Sequence, residues 1–324
     1  MSKFVIGLDF GTNSCRALIV DVAGGREVAS HLFAYPSGTQ GVMLDPSDPN
    51  LARQNPADYL AAVEACVRGA IGAAKDPEFT ADDVIGIGVD TTGSSPMPLD
   101  DRGGALCSHP GFKDNPAAHV WLWKDHTGHE EAAAITRLAA ESHPEYLANI
   151  GGVYSSEWWW SKILHCKNVA PDVFEAAHSW AEICDWIPAQ LTGMRDPARM
   201  LRSICAAGHK AMFNPAWGGL PETAFLDRLS PGLGALRPRL YAQAHTSDTR
   251  AGTLSKEWSR RLGLPESTAV AVGAFDAHMG AVGAGIAEGT LVKIMGTSTC
   301  DVMISRAATR SKISPACAAS WMAP

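Results

Sequence analysis

Several short stretches of this 324-residue sequence carry residue types whose spacing could do chemistry. In 9-DFGTNS-14 a strand ends on Asp9 and turns back through Gly11, Thr12, Asn13 and Ser14. Gly11 lets the backbone approach a ligand closely. Successive N–H groups and the hydroxyls of Thr12 and Ser14 can ring a phosphate. Asp9 can hold Mg2+ directly or through water, because Mg2+ takes carboxylate oxygen and keeps several waters. Taken alone, the stretch also reads as an ordinary hairpin with an Asn/Ser turn. It is not a Walker A loop, since no Gly-Lys-[Ser/Thr] follows. Gly296, Thr297 and Ser298 repeat the same turn chemistry near the other end of the chain. Two hydroxyl-rich hairpins facing each other across a cleft could hold one triphosphate.

Asp276 lies in 273-GAFDAHMG-280, after an apolar strand and a Gly turn and at the start of a helical pattern. As a bland feature it is an N-cap. As a functional one it is a carboxylate placed to accept a hydroxyl proton while that oxygen attacks phosphorus. His278, two residues on, reads as a core histidine or a neighbour that supports the site. Thr92 and Gly93 sit in a polar loop after the strand ending at Asp90, at the carboxyl end of a strand where α/β sheets bind ligands. Lys210 stands between Ala206-Ala207-Gly208 and Ala211-Met212-Phe213, an apolar setting that fits a lysine reaching into a pocket. Trp123, within 121-WLWKDHT-127, offers an aromatic wall with polar tips. The triplet Trp158–Trp160 reads equally well as interdomain packing.

The elements that must position these residues follow from periodicity. Phe4–Asp9, Ala17–Val22 and Glu27–Phe33 read as strands of an antiparallel meander, with Gly24-Gly25 as a turn. Pro56–Ala74 has helical spacing, and Val84–Asp90 reads as a buried strand. The order β-β-β-α-β fits the mixed sheet of an actin-like or RNase-H-like α/β domain, and fits a plain dinucleotide-binding domain poorly. Helices are predicted over Glu130–Glu141, Trp158–Lys167, Ala170–Ser179, Glu182–Leu191, Pro221–Leu229 and Leu254–Leu262. Residues 229–250, rich in Pro, Gly and Ser, read as a linker or domain crossing. Ala269–Val272 is predicted as a strand and Asp276–Val282 as a helix. Thr290–Met295 and Thr299–Ile304 are predicted as a second hairpin, a weak internal duplication of the first.

Composition bounds the rest. The length suits about two domains, or one and a half. A net charge of −7 argues against a nucleic-acid footprint. The eight Cys contain no C-x-x-C pair, so reduced and mostly buried thiols are expected. No apolar run reaches the length of a membrane span and no signal sequence opens the chain, so a cytoplasmic location is expected.

At these residues the chain resembles the FGGY family of carbohydrate kinases, and within it the ribulokinase branch. The likeness rests on 7-GLDFGTNSCRALIVD-21, 86-GIGVDTTGSSPMPLD-100, 123-WKDHTGHEEAAAITRL-138, 151-GGVYSSEWWWSKILH-165, 206-AAGHKAMFN-214, 272-VGAFDAHMGAVGAG-285 and 295-MGTSTCD-301. The resemblance implies an actin-like fold of two domains about a deep cleft: residues 1–250 binding the sugar, and residues 251–324 beginning the nucleotide-binding domain. It implies transfer of a phosphoryl group from ATP, with Mg2+, onto a ketopentose, in the first instance L-ribulose to L-ribulose 5-phosphate in L-arabinose catabolism. Asp276 is then the general base; Gly11–Ser14 and Gly296–Ser298 take the phosphates; Thr92, Gly93, Trp123, Lys210 and Asp276 take the sugar; Asp9 takes the metal. A small-molecule sugar is the partner implied, with no nucleic acid and no membrane, and a homodimer is left open. The alternative is a truncated, inactive product that keeps only sugar binding. The last residues, 313-ISPACAASWMAP-324, match nothing the resemblance implies there, where a PG-x-CG-x-VDGS segment belongs. Codons chosen for Ser314–Pro324 read one frame over as Pro-Gly-Met-Cys-Gly-Ile-Val-Asp-Gly-Ser. A frame slip between Ile304 and Ser314 is therefore expected, giving a partial second domain without kinase activity.

Overall fold

The computed structural model describes residues 2–295 and 299–304. The expectations for the tail, including the frame slip and the state of Cys317, lie outside the described residues.

Strands β1 (Phe4–Phe10), β2 (Ser14–Asp21) and β3 (Glu27–Ala34) form the antiparallel meander that the sequence predicts. In β1 the alternation is clean: Phe4, Ile6, Leu8 and Phe10 are buried, while Gly7 and Asp9 are exposed on the other face. Two short strands follow, β4 (Met43–Asp45) and β5 (Asp48–Gln54). Helix α1 (Pro56–Ala73) then starts where Asn55 accepts the Ala57 N–H at 3.0 Å and Pro56 needs no partner for its nitrogen. Tyr59, Ala62, Val63, Cys66, Val67 and Ala70 recur at helical spacing and bury that face against β2 and β3.

Strand β6 (Val84–Thr91) returns parallel to β1, bringing Asp90 opposite Asp9 and Thr91 opposite Phe10. Next come β7 (Pro96–Leu99), β8 (Val120–Trp121) and a largely helical layer. It comprises α2 (His129–Ser142), α3 (Pro144–Ala148), α4 (Trp159–Val169), α5 (Pro171–Ala176), strand β9 (Ser179–Glu182), α6 (Ile183–Thr192), α7 (Ile204–Ala207) and α8 (Thr223–Leu229). The helix predicted over Ala170–Ser179 stops at Ala176, and Ser179 opens β9 instead. All four residues of β9 are buried, and it pairs with β7 from Leu99↔Ser179 to Pro96↔Glu182. A strand buried on both faces shows no alternation, so periodicity could not separate it from a helix.

The chain then closes with β10 (Arg250–Thr253), α9 (Lys256–Leu262), β11 (Ala269–Ala271), β12 (Ala274–Phe275), α10 (Asp276–Gly283), β13 (Leu291–Met295) and β14 (Thr299–Met303). The stretch read as a linker packs instead as core. It contains a 3-10 helix over Leu233–Arg239, and Leu233, Leu236 and Leu240 are buried. Apolar side chains at that spacing gain more from burial than a solvated linker would. The main sheet runs β10-β11-β6-β1-β2-β3, with β12 also paired to β6, and helices flank it. Smaller sheets hold β4-β5-β8, β7-β9 and the hairpin β13-β14.

Trp159 and Trp160 are buried in the main core, so two of the three tryptophans of the triplet pack within this unit. Of the cysteines, Cys15, Cys66, Cys107, Cys166, Cys184 and Cys205 are buried free thiols, and Cys300 is exposed. Among the described residues no helix is long and apolar enough to cross a membrane.

Candidate functional site

Three parallel strand ends converge. β1 ends beside Asp9, β6 beside Asp90, and β12 runs into α10 at Asp276, with Ala274 opposite Asp90 in the register. Close backbone approach makes this convergence possible. A Cβ on Gly93 would fall 1.9 Å from the Phe275 ring, and one on Gly273 would fall 2.0 Å from the Cys184 carbonyl oxygen. The sequence turns that looked permissive are thus required to be glycine by the neighbours they touch.

At these ends lies a cleft of about 500 Å³. Asp9, Gly11 and Thr12 line it from the first hairpin, Thr92 and Gly93 from the loop after β6, and Trp123, Lys210 and Asp276 from three further elements. Asn13 and Ser14 are not among its lining residues. The Asn13 amide is turned away to donate to the Gln40 carbonyl at 2.7 Å, and the Ser14 carbonyl accepts the Gly11 N–H at 3.0 Å, closing the turn. Gly296, Thr297 and Ser298 lie outside the described residues, but Ile294, Thr299 and Cys300 beside them line the same cleft. The two hairpins therefore face one space.

The electrostatics follow from burial. Asp276 Oδ1 accepts the Ala277 N–H at 2.7 Å, so the carboxylate is held at the mouth of α10 without being its N-cap, which is Phe275. Burial pushes the Asp276 carboxyl up to about 6; the charge of Asp9 adds to this, while the Ala277 N–H and Lys210 pull the other way. Burial, then the charge of Asp9, raises Asp90 to about 8. Burial lowers Lys210, opposed by the charges of Glu157 and Glu182. Its ammonium lies 5.3 Å from the Trp158 ring centroid, and the Lys210 carbonyl accepts the Tyr154 hydroxyl at 2.5 Å.

Sequence reasoning missed Glu157 and His209, which also line the cleft, and missed Asp90, which is tied electrostatically to Asp9 and Asp276 from behind it. Asp90 had a partial signal: the strands predicted over Phe4–Asp9 and Val84–Asp90 each end on Asp. His209 packs edge-on against Trp158 and His278, and burial holds both histidines below their ordinary range, His278 at about 4. They stand between the cleft and an apolar cavity of about 250 Å³ lined by Tyr146, Ile150, Met212, Phe213 and Trp217. Asp125, in the same motif as Trp123, serves structure. It pairs with buried Arg53 and accepts the Ala52 N–H at 2.7 Å and the Thr127 hydroxyl at 2.6 Å.

The acids also bear on a metal. Among the described residues no group of three or more His, Cys, Asp or Glu could hold a metal ion. Asp90 Oδ1 is buried without a hydrogen-bond partner, opposite Asp9. One orphaned carboxylate oxygen beside another carboxylate fits a hard cation that keeps most of its shell as water and substrate oxygen.

Mixed strands flanked by helices, with acids carried to one cleft by parallel strand ends, make an actin-like ATPase fold of the sugar-kinase kind. The chain belongs to the FGGY family of carbohydrate kinases, whose N-terminal domain matches residues 4–283. It is 48% identical over 303 residues to the ribulokinase of Vibrio parahaemolyticus, covering 93% of this chain and 53% of that one. It is 39% identical over 312 residues to the ribulokinase of Shouchella clausii, covering 94% and 54%. The chain thus spans about half the length of the curated relatives it matches. Among solved structures, xylulose kinase from Rhodospirillum rubrum superposes with a TM-score of 0.73 at 23% identity, covering 93% of this chain and 55% of that one. Glycerol kinase from Plasmodium falciparum superposes with a TM-score of 0.69 at 14% identity, covering 93% and 54%. At such identities these two likenesses speak for the fold alone.

Proposed function

We propose that this chain supplies the sugar side and the general base of an ATP-dependent ketopentose kinase, with L-ribulose as substrate and L-ribulose 5-phosphate as product. The observation that carries the reading is the meeting of Asp276, Lys210, Trp123 and Thr12 in one cleft. The two relatives named ribulokinase support the choice of sugar.

In this reading the ketopentose lies against the Trp123 indole, with the Thr92–Gly93 loop beneath it and the Lys210 ammonium on its hydroxyls. Asp276 takes the proton of the attacking hydroxyl as the new O–P bond forms and the bond to the ADP leaving oxygen breaks. A carboxylate raised to about 6 is still ionised at neutral pH and is a better proton acceptor than an exposed one. Gly11 and Thr12 face the phosphates, together with the Gly296–Ser298 turn. Asp9 and Asp90 would hold Mg2+, whose positive charge offsets the charge that builds on the phosphoryl oxygens. Closing the cleft would exclude water from the transfer.

The test is a titration of the purified protein with L-ribulose, followed by a coupled assay for L-ribulose-dependent ADP release from MgATP. L-ribulose binding is the expected result for this chain, with turnover expected once it is extended to the full length of its relatives. Binding without turnover in that extended protein would leave a sugar binder. Absence of L-ribulose binding, with binding of another sugar, would overturn the substrate.

A further inference from the structure

Among the ionisable side chains buried outside the cleft, two hold its walls. Lys162, in the first turn of α4, is 0% exposed, and Glu182, at the end of β9, is 2% exposed. Carrying charge into a core costs stability, and an apolar residue of similar size would spare it. Their contacts show what each side chain holds. The Lys162 ammonium has three N–H donors and uses them on three carbonyls: Ser94 at 2.7 Å, Leu122 at 2.7 Å and Trp121 at 3.3 Å. The Glu182 carboxylate accepts the Ser95 N–H at 2.5 Å and the Ser94 hydroxyl.

Ser94 is therefore gripped on both sides, its carbonyl by the lysine and its hydroxyl by the glutamate. Thr92 and Gly93, directly before it, line the cleft. Leu122, whose carbonyl Lys162 also holds, directly precedes Trp123, another lining residue. One ammonium thus ties two walls of the cleft that come from different parts of the chain.

We propose that Lys162 and Glu182 are positioning residues that fix the Thr92–Gly93 loop and Trp123 at the separation the sugar requires. The inference rests on the reading of the cleft as a sugar site. Neither side chain touches the sugar, and each acts through the backbone it holds.

The test compares Lys162→Met, Glu182→Ala, Glu182→Gln and Ser94→Ala in the whole chain. Two readouts are used, the L-ribulose Kd by calorimetry and amide hydrogen exchange. A glutamine can still accept from the Ser95 N–H and donate to the Ser94 hydroxyl, so it keeps the grip that alanine loses. Lys162→Met and Glu182→Ala are expected to weaken L-ribulose binding at least about tenfold, the scale of losing a hydrogen bond to a charged group. Glu182→Gln is expected to recover most of that loss. Exchange should quicken at residues 92–95 in all the weakened variants, and also at 121–123 in Lys162→Met, while β2 and β3 keep wild-type protection. Ser94→Ala removes a single hydroxyl, so it carries the test where Lys162→Met does not fold. It should quicken exchange at 92–95 and weaken the sugar. Unchanged sugar binding in folded variants, a Gln variant no better than Ala, or exchange that quickens everywhere alike would overturn the proposal. If the wild-type protein fails to bind L-ribulose, the substrate reading falls on its own. The exchange pattern then still decides whether the two walls are held by this pair.

Discussion

The Trp123 indole Nε1–H donates to Thr12 Oγ1 at 3.0 Å. This bond joins the aromatic wall on which the sugar is proposed to rest to the hairpin proposed to face the phosphates. The acceptor oxygen belongs to the same hydroxyl that can donate its own proton outward. Trp123→Phe keeps an aromatic wall and removes the donor. It should weaken L-ribulose binding about fivefold, the net value of about one hydrogen bond, with little change in thermal stability. Calorimetry on the two proteins checks this, and equal affinities would mean that the bond is incidental.

Gly93 tests the close packing of the strand ends. An alanine there would put its Cβ 1.9 Å from the Phe275 ring, far inside contact distance. Gly93→Ala should lower the melting temperature and abolish detectable sugar binding. The added change Phe275→Ala should restore part of the binding, because it removes the atoms that clash. If Gly93→Ala binds sugar normally, the loop has room that the structure denies it.

The titration of Asp276 gives a pH dependence with a definite sign. In the folded protein its carboxyl sits at about 6, against 3.8 for the group in its ordinary state. Below the lower value both states are protonated and nothing is lost. As pH rises between the two, the unfolded chain releases its proton first and folding becomes less favourable; above about 6 the loss is constant. Asp276→Asn removes the charge and keeps an acceptor for the Ala277 N–H. Its melting temperature should exceed that of wild type at pH 8, and the gap should shrink as pH falls from about 6 toward about 4. For turnover the base must be ionised, so kcat/KM should rise with pH through about 6 and then level. Differential scanning and a pH–rate profile check the two signs separately.

Much of this arrangement was legible in the sequence. The alternation of Phe4–Phe10, the helical spacing from Pro56, and the strand–Gly–Asp–helix order around Asp276 each follow from local pattern. Local pattern placed the elements that carry Thr12 and Asp276 close to where they are found. Lys210 was readable because a lysine among alanines and a phenylalanine has few reasons to be there. What stayed hidden depends on partners distant in the chain. Asp90 comes to lie opposite Asp9 because β6 is parallel to β1 and in register, and that register is written in neither strand alone. Lys162 and Glu182 sit in runs that read as helix, and only the loops they hold explain their burial. Asn13 reads as part of the phosphate turn through its backbone, and what its side-chain amide does, donating to the Gln40 carbonyl, depends on a loop distant in the sequence. The stretch 229–250 looked like a linker by composition, although its leucines are core.

Lys210 separates a sugar contact from a structural lysine. Its ammonium is free of any short ion pair among the described residues and lies over Trp158 at the cleft wall. Lys210→Ala should raise the KM for L-ribulose at least about tenfold, the loss of a charge-assisted hydrogen bond, and change the KM for ATP much less. Steady-state kinetics with each substrate varied in turn would show it, and equal effects on both would return Lys210 to a structural role.

The central claim is that Asp276 accepts the sugar proton. The most direct test is Asp276→Asn in the protein extended to the full length of its relatives, with kcat measured by coupled ADP release and the L-ribulose Kd measured by calorimetry on the same preparation. The account predicts a fall in kcat of at least about a hundredfold, the usual scale for a general base, with L-ribulose still bound. A kcat close to wild type, in a variant that binds the sugar normally, would contradict it.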